Sequence, residues 1–397
     1  MGPLVKGAIG ILPAGALGVS FFYHLTQALS RLDSSVFFVE RLGSSSGQIL
    51  RDAGSLEVID SQGSHRLDLR GCLRSDIETC AENGELPELL LLCPNPDQLL
   101  FSLTSCVRLL EKAHGPHSLS LDALPLPTLL LCSNGIYFQR IRQVFIEKLE
   151  ESTLMGRLPD LWPDLMPRIV GKLLRGVTIQ TGIREGEGAS ARYRPGPPGL
   201  TKIAGGDTAT RIHVYALLRE RGLHVELAEQ ATPTRVEFDK AMVNLVANLL
   251  GQLLAIHEDG HFTLVSIGDV LREVGVDRIR ELGERVVEIG RAVRAYRVDE
   301  PAGAILDEVI TNLREHASHI PSSVQWLDLQ LQRGQPIRDI SPTELWLLDP
   351  LIHYARSAEL EASVEYFERL KREIQLRLAK LGVNSPHTFR KSEKPPN

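Results

Sequence analysis

The sequence predicts an α/β N-terminal region with a doubly wound, mainly parallel sheet, followed by an all-α C-terminal domain. Three observations carry this expectation. Short apolar runs alternate with segments of helical period up to Glu150, a glycine-containing turn opens the first helix, and after Val225 the apolar residues keep helical spacing almost to the end. Length agrees, because 397 residues exceed the roughly 100 to 200 of a single domain.

In chain order, Val5 to Leu12 is an apolar run of strand type, and after a Pro/Gly turn Leu17, Phe21, Leu25 and Leu29 recur at helical spacing. Val36 to Val39 is a second strand, ending in Glu40 and Arg41, and Ser44, Ser45, Ser46 and Gly47 mark a loop before a short helix. Strand, helix and strand close a βαβ unit of Rossmann type. Further strands are expected at Leu56 to Ile59, Arg66 to Leu69, Glu88 to Cys93 and Pro127 to Cys132, with helices at Gln98 to Glu111 and Tyr137 to Glu150. Such alternation implies a mainly parallel sheet with both faces covered. From Gly171 to Gly206 the texture changes to short Gly- and Thr-rich strands around Arg194-Pro195-Gly196-Pro197-Pro198-Gly199, which reads as an antiparallel flap near 174–204. Long helices are expected at Phe238 to Ile256, Val276 to Tyr296, Ala304 to Ala317 and Leu360 to Leu381. The expected domains are therefore 1–207 and 208–381, with a frayed tail at 382–397 that holds almost nothing apolar.

Composition narrows the function classes. Hydrophobic content of 43%, charged content of 24% and a net charge of -6 are those of an ordinary globular protein and give no reason to expect nucleic acid or an acidic membrane as partner. A small molecule is expected instead. The cysteines, Cys72, Cys80, Cys93, Cys106 and Cys132, lack CxxC spacing and sit in or beside apolar runs, so they read as reduced core thiols. No stretch approaches ~18 uninterrupted apolar residues, and the start lacks a signal-peptide pattern. A cytoplasmic protein is expected. His257 and His261 beside Glu258 and Asp259 form the one histidine cluster, in a loop that reads as a solvated turn, and no metal is expected.

The turn after the first strand reads Leu12-Pro13-Ala14-Gly15-Ala16-Leu17-Gly18. A glycine fingerprint here lets the backbone approach a pyrophosphate while the following helix points its N–H groups and positive dipole end at it. Gly15 is the close-approach glycine, and Gly18 permits tight packing of helix on strand. Pro13 stands where a first glycine is usual; proline fixes φ and removes an N–H, so the turn must differ locally. At the end of the second strand an acid usually holds a ribose 2′-hydroxyl and an arginine favours a 2′-phosphate. The chain has both, Glu40 and Arg41. Arg41 with the Ser44 to Ser46 hydroxyls makes a phosphate pocket, or else the two charges are a solvated pair. NADP(H) is the expected cofactor.

A second constellation lies in Phe238-Asp239-Lys240-Ala241-Met242-Val243-Asn244-Leu245-Val246-Ala247-Asn248. Lys240, Asn244 and Asn248 recur every four residues and so share one helix face, while Met242, Val243, Leu245, Val246 and Leu249 cover the rest. Burying a lysine and two amides without partners costs several kcal/mol, which points to a lined cleft; a solvent-facing stripe is the plain alternative.

Taken together, these segments resemble the ketopantoate reductase family, over about residues 7–360. Ala14-Gly15-Ala16-Leu17-Gly18 is similar to that family's GxGALG turn, Arg41 to the arginine after its second strand, and Leu131-Cys132-Ser133-Asn134-Gly135 to its Asn-Gly strand end. Gly176-Val177-Thr178 and Pro197-Pro198-Gly199-Leu200-Thr201 resemble its flap strands, and Lys240, Asn244 and Asn248 its K-x-x-x-N-x-x-x-N helix. The resemblance implies a Rossmann domain joined to a helical domain like the C-terminal domain of 6-phosphogluconate dehydrogenase, and NADP-dependent reduction of a small 2-keto acid. It implies Lys240 as proton donor, Asn244 and Asn248 as substrate donors, and Asn134 on the cofactor ribose or the substrate. The helical domain is expected to face the cofactor turn across a cleft and to offer a dimer surface to a second copy.

The departures are specific. Where the family has a further lysine, Leu92-Cys93-Pro94-Asn95-Pro96-Asp97-Gln98 offers Asn95. The family's serine and glutamate correspond to Ser322 or Ser323 and to Glu344 in Pro342-Thr343-Glu344-Leu345, at a longer interval, with Arg338 or Asp339 as alternatives for the acid. A surface acid at a helix start, capped by Ser341 or Thr343, is the plain reading of Glu344. Extra material falls at 107–126 and at 150–170, where Trp162, Pro163 and Pro167 suggest an ordered excursion. A nucleotide-binding or regulatory protein that keeps the fold without turnover is the first alternative, and an enzyme acting on a larger amine or phosphorylated substrate the second.

Overall fold

The computed structural model describes residues 4–27, 35–41, 43–113, 124–186, 188–335, 337 and 339–383. The chain divides into two compact units, Met1–Val236 and Glu237–Asn397.

The strands of the first unit are β1 (Val5–Leu12), β2 (Val36–Val39), β3 (Ser55–Asp60), β4 (Gly63–Asp68), β5 (Leu73–Arg74), β6 (Pro87–Leu92), β7 (Thr128–Leu131), β8 (Leu173–Thr178), β9 (Gly182–Glu185), β10 (Arg192–Pro195), β11 (Thr201–Gly205) and β12 (Val225–Leu227). The main sheet has the order β12-β11-β8-β7-β6-β1-β2-β5. From β5 to β8 all neighbours are parallel, and this stretch follows the 3-2-1-4-5-6 order of doubly wound dinucleotide folds. Leu89 to Leu92 of β6 and Leu129 to Leu131 of β7 are all buried, as continuous apolar strands must be when both faces of a sheet are covered. The chain order reverses between β1 and β6. Beyond the carboxyl ends of such a switch point a crevice opens, and there the Pro13 to Gly18 turn and the Pro94-Asn95 loop lie.

Two sequence expectations are corrected. The strands at 56–59 and 66–69 leave the parallel sheet: β3 and β4 are a hairpin closed at Gly63, whose φ of 112° suits glycine, and strands joined by a tight turn can only be antiparallel. They form a second sheet, β4-β3-β10-β9. The flap at 171–206 is also divided, since β8 and β11 belong to the main sheet while β9 and β10 join the small one. The small sheet packs on the helix Ala16–Gln27. Gly182 is needed at that contact, because a Cβ there would come within 2.4 Å of the Ala16 carbonyl oxygen.

The helix Thr208–Glu220 and β12 complete the sheet edge, so the first unit runs to Val236, beyond the boundary at 207 read from the sequence. The excursion at 150–170 is two helices, Thr153–Arg157 and Trp162–Gly171, anchored by buried Leu154, Leu165 and Ile169. Of the other, the helix Pro96–Ala113 contains the start, and 114–123 lie outside the described residues. None of the five cysteines forms a disulfide; four are buried and Cys93 is half-buried.

The second unit is all-helical among the described residues. The expected helix at 238–256 is present with a change of pitch: Pro233–Asn244 and Leu250–Ala255 are α-helical, and Leu245–Leu249 between them is a π turn. Around it pack Ser322–Gln332 and Pro342–Ser357, and Glu361–Val383 closes the unit. Of the expected tail, 384–397 lie outside the described residues. No described helix is long and apolar enough to cross a membrane.

Candidate functional site

Two clusters carry chemistry, one in each unit. In the first, the helix Ala16–Gln27 begins just after the glycine turn, and the N–H groups of Gly15, Ala16 and Leu17 have no protein acceptor among the described residues, as expected of a helix start. Gly15 is uncrowded, with its nearest neighbour 3.9 Å from where a Cβ would stand. Gly18 is the opposite case: a Cβ would lie 2.1 Å from the Pro13 carbonyl oxygen and 3.2 Å from Ile11. One glycine leaves an approach open and the other lets helix and strand touch.

Glu40 turns away from solvent. It is 1% exposed, its Oε1 accepts from the Ala14 N–H at 3.1 Å, and its Oε2 accepts from the Ser44 hydroxyl at 3.1 Å. Gly47 lies over it, where a Cβ would come within 2.7 Å of the Glu40 Cγ. Ser44 in turn caps the helix Ser45–Ala53 by accepting from the Gly47 N–H. The acid at the end of β2 therefore ties the glycine turn to the next loop, and both its oxygens are engaged. Arg41 is half-buried and makes no ion pair among the described residues. The side chains of Ser45 and Ser46 lie outside what is described.

Asn95 is exposed, in the loop after β6, and Asn134 is half-buried in the loop after β7. The latter loop is shaped by a residue that the sequence reading passed over. Arg175 of β8 is fully buried, and its guanidinium donates to the carbonyls of Leu131, Gly176, Ser133 and Gly135 at 2.6 to 3.2 Å while stacking on Tyr137. Gly135, with φ of 125°, supplies the turn. An arginine inside Leu173 to Thr178 interrupts an apolar strand, which is the one sequence signal that could have exposed this clamp.

The second cluster lies wholly within the helical unit. Lys240 is half-buried and makes no ion pair among the described residues; burial pushes its pKa down to about 8. Asn244 is buried and Asn248 half-buried. The four-residue spacing continues one step further than the sequence reading took it, to buried Gln252. In an α-helix four residues overshoot one turn by about 40°, so such a row drifts round the helix. A π turn carries more residues per turn, and its i to i+5 bond, Leu250 N–H to Leu245 carbonyl, reverses the drift. Asn248 and Gln252 are brought back towards the line of Lys240 and Asn244.

The helix Ser322–Gln332 holds the middle of this row. The Ser322 hydroxyl donates to Asn248 Oδ1 at 3.3 Å, which leaves the Asn248 amide nitrogen to point elsewhere, and the Ser323 hydroxyl donates to the Asn248 carbonyl at 3.1 Å. Glu344 stands in the first turn of Pro342–Ser357, capped by Ser341. It is not a surface acid: it is 4% exposed, Oε1 accepts from Gln252 Nε2 at 2.9 Å, and Oε2 is buried with no hydrogen bond. Burial pushes its pKa up to about 7. Of the alternatives for this acid, Asp339 is exposed and Arg338 lies outside the described residues. No group of three or more His, Cys, Asp or Glu among the described residues is arranged to hold a metal.

No family model matches the sequence, and no curated protein matches it. Solved structures do. D-mandelate dehydrogenase, in a ternary structure with NADH and anilino(oxo)acetate, superposes with a TM-score of 0.63 at 15% identity, over 94% of this chain and 99% of that one. The ketopantoate reductase of Ralstonia eutropha JMP134 gives 0.55 at 15% identity over 94% and 99%, and the 2-dehydropantoate 2-reductase of Methylococcus capsulatus 0.56 at 16% over 94% and 98%. The chain has the ketopantoate reductase fold. Within that fold, Gly15 and Gly18 hold the first glycine turn, and the row from Lys240 lies on a helix of the second unit.

Proposed function

We propose that the chain is a nicotinamide-dependent reductase of a small 2-keto acid, of ketopantoate-reductase type, with Lys240 as proton donor. The observation that carries this reading is a half-buried lysine, without a counter-ion among the described residues, at the head of a partly buried polar row. Such a group is costly to keep unless it meets an anion or a developing negative charge.

The first cluster suits a dinucleotide: free helix-start amides, an uncrowded Gly15 and a switch-point crevice are what a pyrophosphate needs. A bound nicotinamide cofactor would supply the hydride. Lys240 does the acid's part: its ammonium stabilises the negative charge that grows on the carbonyl oxygen, then releases a proton from Nζ to that oxygen, and is recharged from water. A pKa near 8 keeps most of the lysine protonated at neutral pH while making the proton easy to give. Asn244 and the Asn248 amide, whose oxygen Ser322 occupies, would hold the substrate's carboxylate or hydroxyl.

Glu40 bears on the choice of cofactor. With both oxygens engaged and 1% exposure, it is in no position to receive a ribose 2′-hydroxyl, while half-buried Arg41, with no ion pair among the described residues, would meet a 2′-phosphate. We therefore favour NADP(H). The test is turnover of NADPH and of NADH by the purified chain with a panel of 2-keto acids. Turnover with NADPH that falls at least about a hundredfold in Lys240→Ala is expected; a wild type no faster than that variant would end this reading. Binding of NADPH without turnover would instead favour a nucleotide-binding protein that keeps the fold.

A further inference from the structure

We propose that Gln252 is a positioning residue for Glu344, holding the carboxyl by Oε1 so that Oε2 is left as the atom of this side chain open to a ligand. The inference rests on the reading of the Lys240 row as a substrate site. Gln252 and Glu344 are both buried, come from different helices, and meet through a single hydrogen bond of 2.9 Å. An unanchored carboxyl could rotate to pair either oxygen. The Gln252 amide fixes which oxygen is paired, and the other is left buried with no hydrogen bond among the described residues, a state that costs about 1 to 3 kcal/mol unless something else pairs with it.

The elements packed against the Glu344 helix include Val276–Ala292, Leu245–Leu249 and Glu361–Val383, besides the Leu250–Ala255 helix that carries Gln252, and among the described residues no charged side chain acts on the carboxyl. Desolvation pushes it towards the neutral form, opposed by the backbone N–H groups of Glu344 and Ser341 and by Gln252. Gln252 also falls on the four-residue row that begins at Lys240, so the anchor of Glu344 and the candidate proton donor belong to one helix face.

The experiment uses the full chain with ¹³C-labelled glutamate carboxyls, the Glu344 signal being assigned by its loss in Glu344→Gln. Its titration midpoint is compared in wild type, in Gln252→Met, which keeps the size and removes the donor, and in Gln252→Asn, which keeps the amide but is too short to reach. Removing one hydrogen bond to the ionised form is expected to raise the midpoint by about one pH unit in both variants. A second readout is a double-mutant cycle on kcat/KM for a 2-keto acid that the wild type reduces. Gln252→Met is expected to lower it about tenfold, mainly through KM, and to lower it no further when Glu344→Gln is present. An unchanged midpoint, or losses that add in the double variant, would overturn the proposal. Should the wild type reduce no 2-keto acid, the proposed reaction falls, while the titration still decides whether Gln252 anchors Glu344.

Discussion

Replacing Glu344 by glutamine should make the helical unit more stable at alkaline pH and leave it nearly unchanged at acid pH. Glu344 is buried, and its pKa rises from the ordinary 4.5 to about 7 because desolvation disfavours the charged form. The sign follows directly: an acid whose folded-state pKa exceeds its unfolded one releases its proton more readily when unfolded, so folding loses stability as pH rises from 4.5 through 7. At about 1.4 kcal/mol per pH unit, the rise amounts to about 3 kcal/mol, fully developed above about pH 8 and absent below about pH 4.5. Glutamine has no such ionisation. It keeps an oxygen for Gln252 Nε2 to donate to. Urea titrations at pH 5 and pH 9, followed by tryptophan fluorescence with Trp326 and Trp346 both in this unit, measure the difference. A gain for the variant confined to the alkaline side, and no larger than about 3 kcal/mol, is expected. An equal effect at both pH values would refute the reasoning, because it would mean that the Glu344 carboxyl is not desolvated.

Two further substitutions probe the nucleotide cluster. Gly18→Ala places a Cβ 2.1 Å from the Pro13 carbonyl oxygen, which is backbone and cannot swing aside, so a loss of roughly 2 to 3 kcal/mol in thermal melts is expected, together with loss of NADPH binding by fluorescence titration. Arg175→Met withdraws the donors from four carbonyls; a loss of at least about 3 kcal/mol is expected in denaturant unfolding, and a stability close to wild type would show that water replaces the guanidinium.

Much of the first unit was legible because its signals are local. The run Val5 to Leu12, the turn to Gly18 and the periodic helix after it state a βαβ unit in a few dozen residues, and the strand order then follows the usual doubly wound path. The destination of β3 and β4 was not legible, since alternation of apolar residues records that a segment is a strand and not which sheet will receive it. Glu40 was legible as an acid at the end of β2 but not in its orientation, which depends on Gly47 and Ser44 folding over it. Arg175 and Gln252 were missed for a shared reason: each is a polar residue in an apolar stretch whose partner lies far along the chain, 42 residues for Arg175 and Ser133 and 92 for Gln252 and Glu344. Glu344 drew attention in the sequence through its likeness to the family's glutamate, and only packing distinguishes it from an acid on the surface.

The π turn at Leu245–Leu249 has a consequence for how this helix can change over generations or in the laboratory. A π turn amounts to one extra residue looped into an α-helix, so the simplest lesion is deletion of a single residue there. Such a deletion lets the segment fall back to α pitch and leaves Gln252 near Glu344, whereas inserting a second residue there, with no further bulge to take it up, would rotate everything downstream by about 100° and advance it by about 1.5 Å, carrying Gln252 away from Glu344 while Lys240 and Asn244 stay where they are. The segment works as a phase adjuster: it can give up one residue and keep the two ends of the polar row connected, whereas a gain in length here would separate them.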